Sequence, residues 1–213
     1  MKKSFKENIK EDFGLTGLLF IPICVAINIV GFQIAQVMKL PIFLDQIGTI
    51  LIGVVCGPWL AIAVGILTNC INGIFNPVYF YYTPAAIVVG IVAAFCSRKG
   101  LFKSFPKVIV SGLILTIASV LITTPITVLV FGGSTGVSTG SLITAALLAT
   151  GSKIWAAATS TQIIQEIGDK MISAIVVYII ASKIPARYMA KFRYGSFVTG
   201  KKKDSAEADN LYK

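Results

Sequence analysis

Residues 13–37 carry no charged side chain, and neither do residues 108–131. As a helix rising 1.5 Å per residue, the first run reaches about 37 Å, more than the ~30 Å of bilayer hydrocarbon. Two such runs in one chain make the bilayer the solvent, where every backbone N–H and C=O must find a partner inside the protein. The expected fold class is therefore an all-α integral membrane protein. A composition of 55% hydrophobic and 13% charged residues over 213 positions, with mean hydropathy +0.83, agrees with one compact membrane domain.

Residues 44–77 organise the rest. Two apolar arms, 46–56 and 59–71, meet at Gly57-Pro58, a turn signal that reads as a hairpin corner. Small or polar residues recur every fourth position: Thr49, Gly53 and Gly57, then Ala61, Gly65, Asn69 and Gly73. On a helix that spacing makes one stripe along which backbones approach closely. Further spans are expected at 84–96, opened by Pro84, and at 161–182, which brings the count to six. An extra apolar segment, 141–159, lies in the loop before the last span and either crosses, re-enters or lies on the membrane.

Charge placement sets the expected topology. With both termini and the 97–107 loop on the cytosolic side, 16 of the 19 basic residues are inside, leaving out Lys39, Lys153 and Lys170. The divisions that follow are a cytosolic lead-in at 1–12 without a cleavable signal, a six-helix membrane domain at 13–185, and a basic cytosolic tail at 186–213. The +10 net charge thus reads as a topology signal and not as a nucleic-acid surface.

Catalytic chemistry has few residues to work with. There is no histidine, and Cys24, Cys56, Cys70 and Cys96 all lie in apolar segments, so they read as small core residues and no metal site is expected. Gly195, Gly200 and Lys201 imitate a phosphate-binding loop, but Lys202 stands where a hydroxyl must hold magnesium. Glu166 and Asp169 share a helix face and read as partners of Lys170 or Lys153. Binding is the better supported chemistry. Asp45, Gln46, Asn69, Asn72, Asn76, Tyr79, Tyr81, Tyr82, Trp155 and Gln162, with Gln165, stand near the outer ends of spans, where they can supply a cavity with amides and aromatic walls. The tyrosines equally suit an interfacial aromatic belt, and Asn69 and Asn72 a helix-capping role.

Leu44-Asp45-Gln46-Ile47-Gly48-Thr49, followed by Gly57-Pro58-Trp59 and Leu67-Thr68-Asn69, resembles the substrate-binding S components of energy-coupling factor (ECF) transporters, a branch of ABC vitamin importers. The resemblance covers roughly 14–185 and implies a transport subunit of the bacterial cytoplasmic membrane, not an enzyme. It implies three partners, a transmembrane coupling subunit and two ATPase subunits that hold ATP and magnesium. The S component captures a vitamin from outside and topples in the bilayer to release it, and it has no cofactor of its own. Docking on the coupling subunit would fall to the small pair Gly31 and Ala35 or to the stripe at Gly53, Gly57, Ala61 and Gly65, unless these stripes serve packing within the chain. Within the family the pattern points to cobalamin, with a queuosine precursor or a pyrimidine-type vitamin as alternatives. A stand-alone secondary carrier is the competing class.

Overall fold

A computed structural model describes residues 13–189, 191–192 and 194–199. Its helices are α1 (Leu15–Val37), α2 (Ile47–Val55), α3 (Pro58–Phe75), α4 (Val78–Tyr81), α5 (Thr83–Arg98), α6 (Phe105–Phe131), α7 (Thr139–Ala149), α8 (Ile154–Lys183), α9 (Ala186–Met189) and α10 (Gly195–Thr199). There is no strand among the described residues. Pro58, Pro84 and Pro106 open α3, α5 and α6 within the first turn, where a missing N–H costs no helical bond.

Three helices, α1, α3 and α6, are long and apolar enough to cross a membrane. The distribution of polarity matches that solvent. Leu15, Ile117, Leu129 and Ile164 are exposed on the outside, while Thr49, Thr68, Ser111, Thr116, Ser119, Thr123, Thr127 and Ser173 are buried. A water-soluble protein arranges these classes the other way round. The protein is a helical membrane protein.

At the centre stands α2, nine residues long and buried at every position. It packs against α1, α3, α5 and α8. Small residues permit these crossings. A Cβ on Gly53 would stand 2.8 Å from the Gly90 carbonyl oxygen, and one on Gly65 would meet Ala86 at 3.2 Å. Gly31 faces the Leu44 backbone so closely that a Cβ would stand 2.3 Å from its carbonyl oxygen. Thus Gly31, Ala35, Gly53, Gly57, Ala61 and Gly65 all lie buried within the chain. At the corner, Gly57 has φ +115°, a conformation that side chains disfavour and glycine adopts freely.

The N-terminus of α2 is capped by another helix. Its own N-cap residue, Gln46, makes no side-chain capping bond. Instead Asn28 of α1 accepts the Gly48 N–H at 2.6 Å and donates through Nδ2 to Thr49 and Thr68, each at 2.9 Å. One buried amide therefore ties α1, α2 and α3 together.

Three boundaries differ from expectation. The last helix begins at Ile154 and not at 161, because the break falls earlier, at Gly151 with φ +87°. The apolar segment 141–159 is split: α7 starts where Ser138 accepts the Ser141 N–H, and the remainder forms the first turns of α8. The second arm runs on to Phe75, past the expected 71, and beyond it lies one helical turn, α4, which follows an Asx turn in which Asn76 Oδ1 accepts the Val78 N–H.

The lead-in 1–12 and the end of the tail, 200–213, lie outside the described residues. The nearer part of the tail packs back on the bundle. Met189 and Tyr194 are buried, the Tyr194 N–H donates to the Val55 carbonyl at the end of α2, and Arg98 donates to the Tyr194 hydroxyl. This end of the bundle gathers Arg98, Lys99, Lys103, Lys107, Lys183, Arg187 and Lys191, whereas the opposite end gathers the connectors 38–46, 76–82 and 132–153.

Replacing Asn28 with leucine removes the partner of a buried N–H and of two hydroxyls. Thermal unfolding in detergent should show a loss of about 1–3 kcal/mol; an unchanged midpoint would mean that the network adds nothing to stability.

Candidate functional site

The connectors at the end opposite Arg98 enclose a polar cavity. Its chemistry starts from α8, where Gln162, Gln165, Glu166 and Lys170 fall at three- and four-residue intervals on one face. All four are buried and line the cavity. Facing them, α6 contributes Thr123 and Thr127, one turn apart, and α7 contributes Ser141 and Thr144. Tyr79 and Tyr82 form one wall, and Phe43, Asp45 and Gln46 enter from the α1–α2 connector.

Asp169 holds that connector in place. Its Oδ1 accepts the backbone N–H groups of Leu44 at 2.6 Å and Phe43 at 3.2 Å. Leu44 is thereby kept at φ +54°, a left-handed conformation uncommon for a residue with a Cβ. The other carboxylate oxygen takes a bond from Lys170 Nζ at 2.5 Å. Lys170 also lies 3.0 Å from Glu166 Oε2. Glu166, Asp169 and Lys170 are at most 3% exposed, so the ammonium is matched on the spot by two carboxylates. Gly140 leaves space for the Gln165 amide, which donates to the Pro41 carbonyl at 3.3 Å and toward Ser138 Oγ at 3.4 Å.

A second chain of bonds runs along the wall. Gln162 Nε2 donates to Thr127 Oγ1 at 2.8 Å, and the Tyr82 hydroxyl shares a bond with the same oxygen at 2.7 Å. Phe131 stacks on the Tyr82 ring with centroids 6.1 Å apart. Tyr79 packs edge-on against Phe32 at 5.0 Å. Several buried polar atoms lining the space have no hydrogen-bond partner: Gln46 Oε1, Gln162 Oε1, Thr123 Oγ1 and the Tyr79 hydroxyl. Buried polar atoms are rarely left in that state, so together they read as places for a ligand.

The cavity measures about 50 Å³, and a neighbouring one of about 290 Å³ is lined by Phe32, Gln33, Gln36, Asn72, Phe75 and Asn76. Tyr79 and Val137 border both, so they form the partition between them.

Of the residues singled out in the sequence, Asp45, Gln46, Tyr79, Tyr82 and Gln162 line the inner cavity. Asn72 and Asn76 line the outer one. Asn69 is buried on α3 and lines neither. Tyr81 and Trp155 are about half exposed and also line neither, Tyr81 lying edge-on to Phe131. Sequence reasoning gave no cavity role to Thr123, Thr127, Ser141, Thr144, Glu166 or Lys170. The usable signal was helical phase: positions 162, 166 and 170 extend a face that already held a chosen residue.

Asp45 lies in the connector, outside the helical spans. Although the residue as a whole is half-buried, withdrawal of its carboxyl from water, and next the charge of Asp169, push it up to about 7 against the pull of Lys170. Between its ordinary value near 3.8 and about 7, the folded protein holds a proton that the unfolded chain has released. Stability from this group therefore falls as pH rises through that window and is level above it. Melting temperatures of the wild type and Asp45→Asn, taken from pH 5 to 8, should differ by an amount that changes up to about pH 7 and then stays constant; parallel curves across the range would remove Asp45 from the titration.

No family model, curated protein or solved structure matches the chain.

Proposed function

We propose that the protein is the membrane-embedded substrate-binding subunit of an ECF-type vitamin importer. The observation that carries this reading is the enclosed polar cavity at one end of an apolar bundle, with four buried polar atoms still open on its walls. Amides, hydroxyls and tyrosines converge there, the kinds of group that orient a bound ligand. The basic residues collect at the other end, which is the cytosolic face on the positive-inside rule. In this reading α1, α2, α3, α5, α6 and α8 make six crossings, α2 as a short inner one, and both termini are cytosolic. The cavity then opens to the outside of the bacterial cytoplasmic membrane. ATP is hydrolysed by two partner subunits, and a coupling subunit carries the motion.

Cavity size bears on the cargo. A void of about 150 Å³ holds a benzene ring, so the inner space of about 50 Å³ admits only part of a ligand. Joined to the outer space across Tyr79 and Val137, it suits a small heteroaromatic molecule. Cobalamin uptake, the first expectation, requires the 132–153 connector to swing clear, whereas a queuosine precursor or a pyrimidine-type vitamin needs only the partition to move. The size observation favours the smaller ligands.

Two measurements test the class. Purified protein in detergent, titrated calorimetrically against a vitamin panel, should bind one member tightly; co-expression should recover ATPase and coupling subunits with it. Protein that binds no vitamin, together with uptake that persists without ATP, would favour a stand-alone carrier. Gln162→Ala should weaken binding roughly three- to tenfold by removing one hydrogen bond. Tyr81→Ala and Trp155→Ala, which leave both cavities intact, should bind like the wild type. The reverse ranking would place the site elsewhere.

A further inference from the structure

The charges around the inner cavity are unbalanced. Glu166 and Asp169 already outnumber the single ammonium, Lys170, and Asp45, partly protonated near pH 7, adds to the negative side. That ammonium is already engaged, with Asp169 at 2.5 Å and Glu166 at 3.0 Å. The remaining ionisable side chains on the lining are the neutral phenols of Tyr79 and Tyr82. A second observation is independent of charge. Gln46 and Gln162, each 8% exposed, line the same space with carbonyl oxygens that accept no bond. The orientation of Gln162 follows from its other end, since its amide nitrogen is used on Thr127. The two carbonyls thus add acceptor-only capacity, beside the Tyr79 and Thr123 hydroxyls, which can donate or accept.

Resting on the reading of this cavity as a substrate site, we propose that it selects ligands presenting an ammonium, amidinium or similarly N–H-rich group to Asp45, Gln46, Gln162 and Glu166, and that it rejects carboxylates and phosphates. A cationic head adds attraction to the excess carboxylates and fills the orphaned carbonyls without breaking any contact. An anionic head meets two costs. It approaches carboxylates in a space of low dielectric, and it finds Lys170 available only if the buried pairs with Asp169 and Glu166 are opened, which leaves those charges uncompensated. Aromatic faces at Tyr79 and Tyr82 suit a flat ring attached to that head.

The test uses three probes of one shape on the purified full chain: benzylammonium, benzyl alcohol and benzoate, titrated by ligand-observed NMR at neutral pH. The expected order is ammonium, then alcohol, then carboxylate, with the first about tenfold tighter than the last, or ~1.4 kcal/mol. Glu166→Gln should reduce the preference for the cation. If that variant fails to fold, Gln162→Leu supplies the second measurement, because it removes a cavity acceptor without touching Lys170. Equal or tighter binding of benzoate, absence of binding by all three probes, or a cation preference unchanged in the folded variants would overturn the proposal. The importer reading fails on different evidence, namely no vitamin bound and no partner subunits recovered, and the order of the three probes is read independently of it.

Discussion

One carboxylate does most to shape this protein's interior. Asp169 accepts two backbone N–H groups from the α1–α2 connector with one oxygen and an ammonium with the other. The first interaction keeps Leu44 in a left-handed conformation, and so sets the direction in which Asp45 and Gln46 follow. The second holds Lys170 where Glu166 can share it. Charge-assisted hydrogen bonds are about twice as strong as neutral ones, and here the surroundings are buried. Connector, cavity floor and the start of α2 are consequently parts of one arrangement, completed on the α1 side by Asn28.

The same economy of polar contacts extends along α6. Ser111, Thr116, Ser119, Thr123 and Thr127 are buried, while Ile117, Leu121 and Leu129 point outward. Thr116 bonds back to the Gly112 carbonyl and across to the Glu166 carbonyl. Hydroxyls that return to their own helix can face a neighbour at close range without being left unpaired. From Ser119 onward this pattern changes: Ser119 and Thr123 have no partner, and Thr127 is shared by Gln162 and Tyr82. One helical face thus passes from packing to binding within three turns.

The parts of the fold governed by solvent transfer and by single-residue backbone rules were legible in the sequence. Uncharged runs marked α1 and α6 because hydropathy measures the cost of leaving water. Gly57-Pro58 marked the corner because only glycine readily adopts the required φ. The stripe at Gly53, Ala61 and Gly65 announced close helix contacts, although its partner, α5 within the same chain, had to come from three dimensions. The site was legible by residue type more than by position. Which of Tyr79, Tyr81 and Tyr82 faces inward depends on the phase of a single turn begun by Asn76, and no periodicity sets that phase. Trp155 reads as a cavity wall in the sequence, but α8 starts at Ile154 and leaves the ring about half exposed. Glu166 and Lys170 read as a pair at a helix end; burial, which the sequence does not display, turns them into part of the lining.

The short length of α2 and the charges within α8 bear on how the chain enters a membrane. Neither helix is among the three that are long and apolar enough to cross unaided. At nine residues, α2 reaches only ~14 Å, and α8 carries Glu166, Asp169 and Lys170 through its middle. Such segments partition poorly into lipid alone. They gain their place from what is already there: α1 offers Asn28 to α2, and α6 offers its hydroxyl face to α8. By length and composition α1, α3 and α6 can enter lipid unaided, whereas α2 and α8 depend on neighbours for their place. Gln162, Gln165, Glu166 and Lys170 reach the cavity on α8, so the binding site is complete only once that helix is in place.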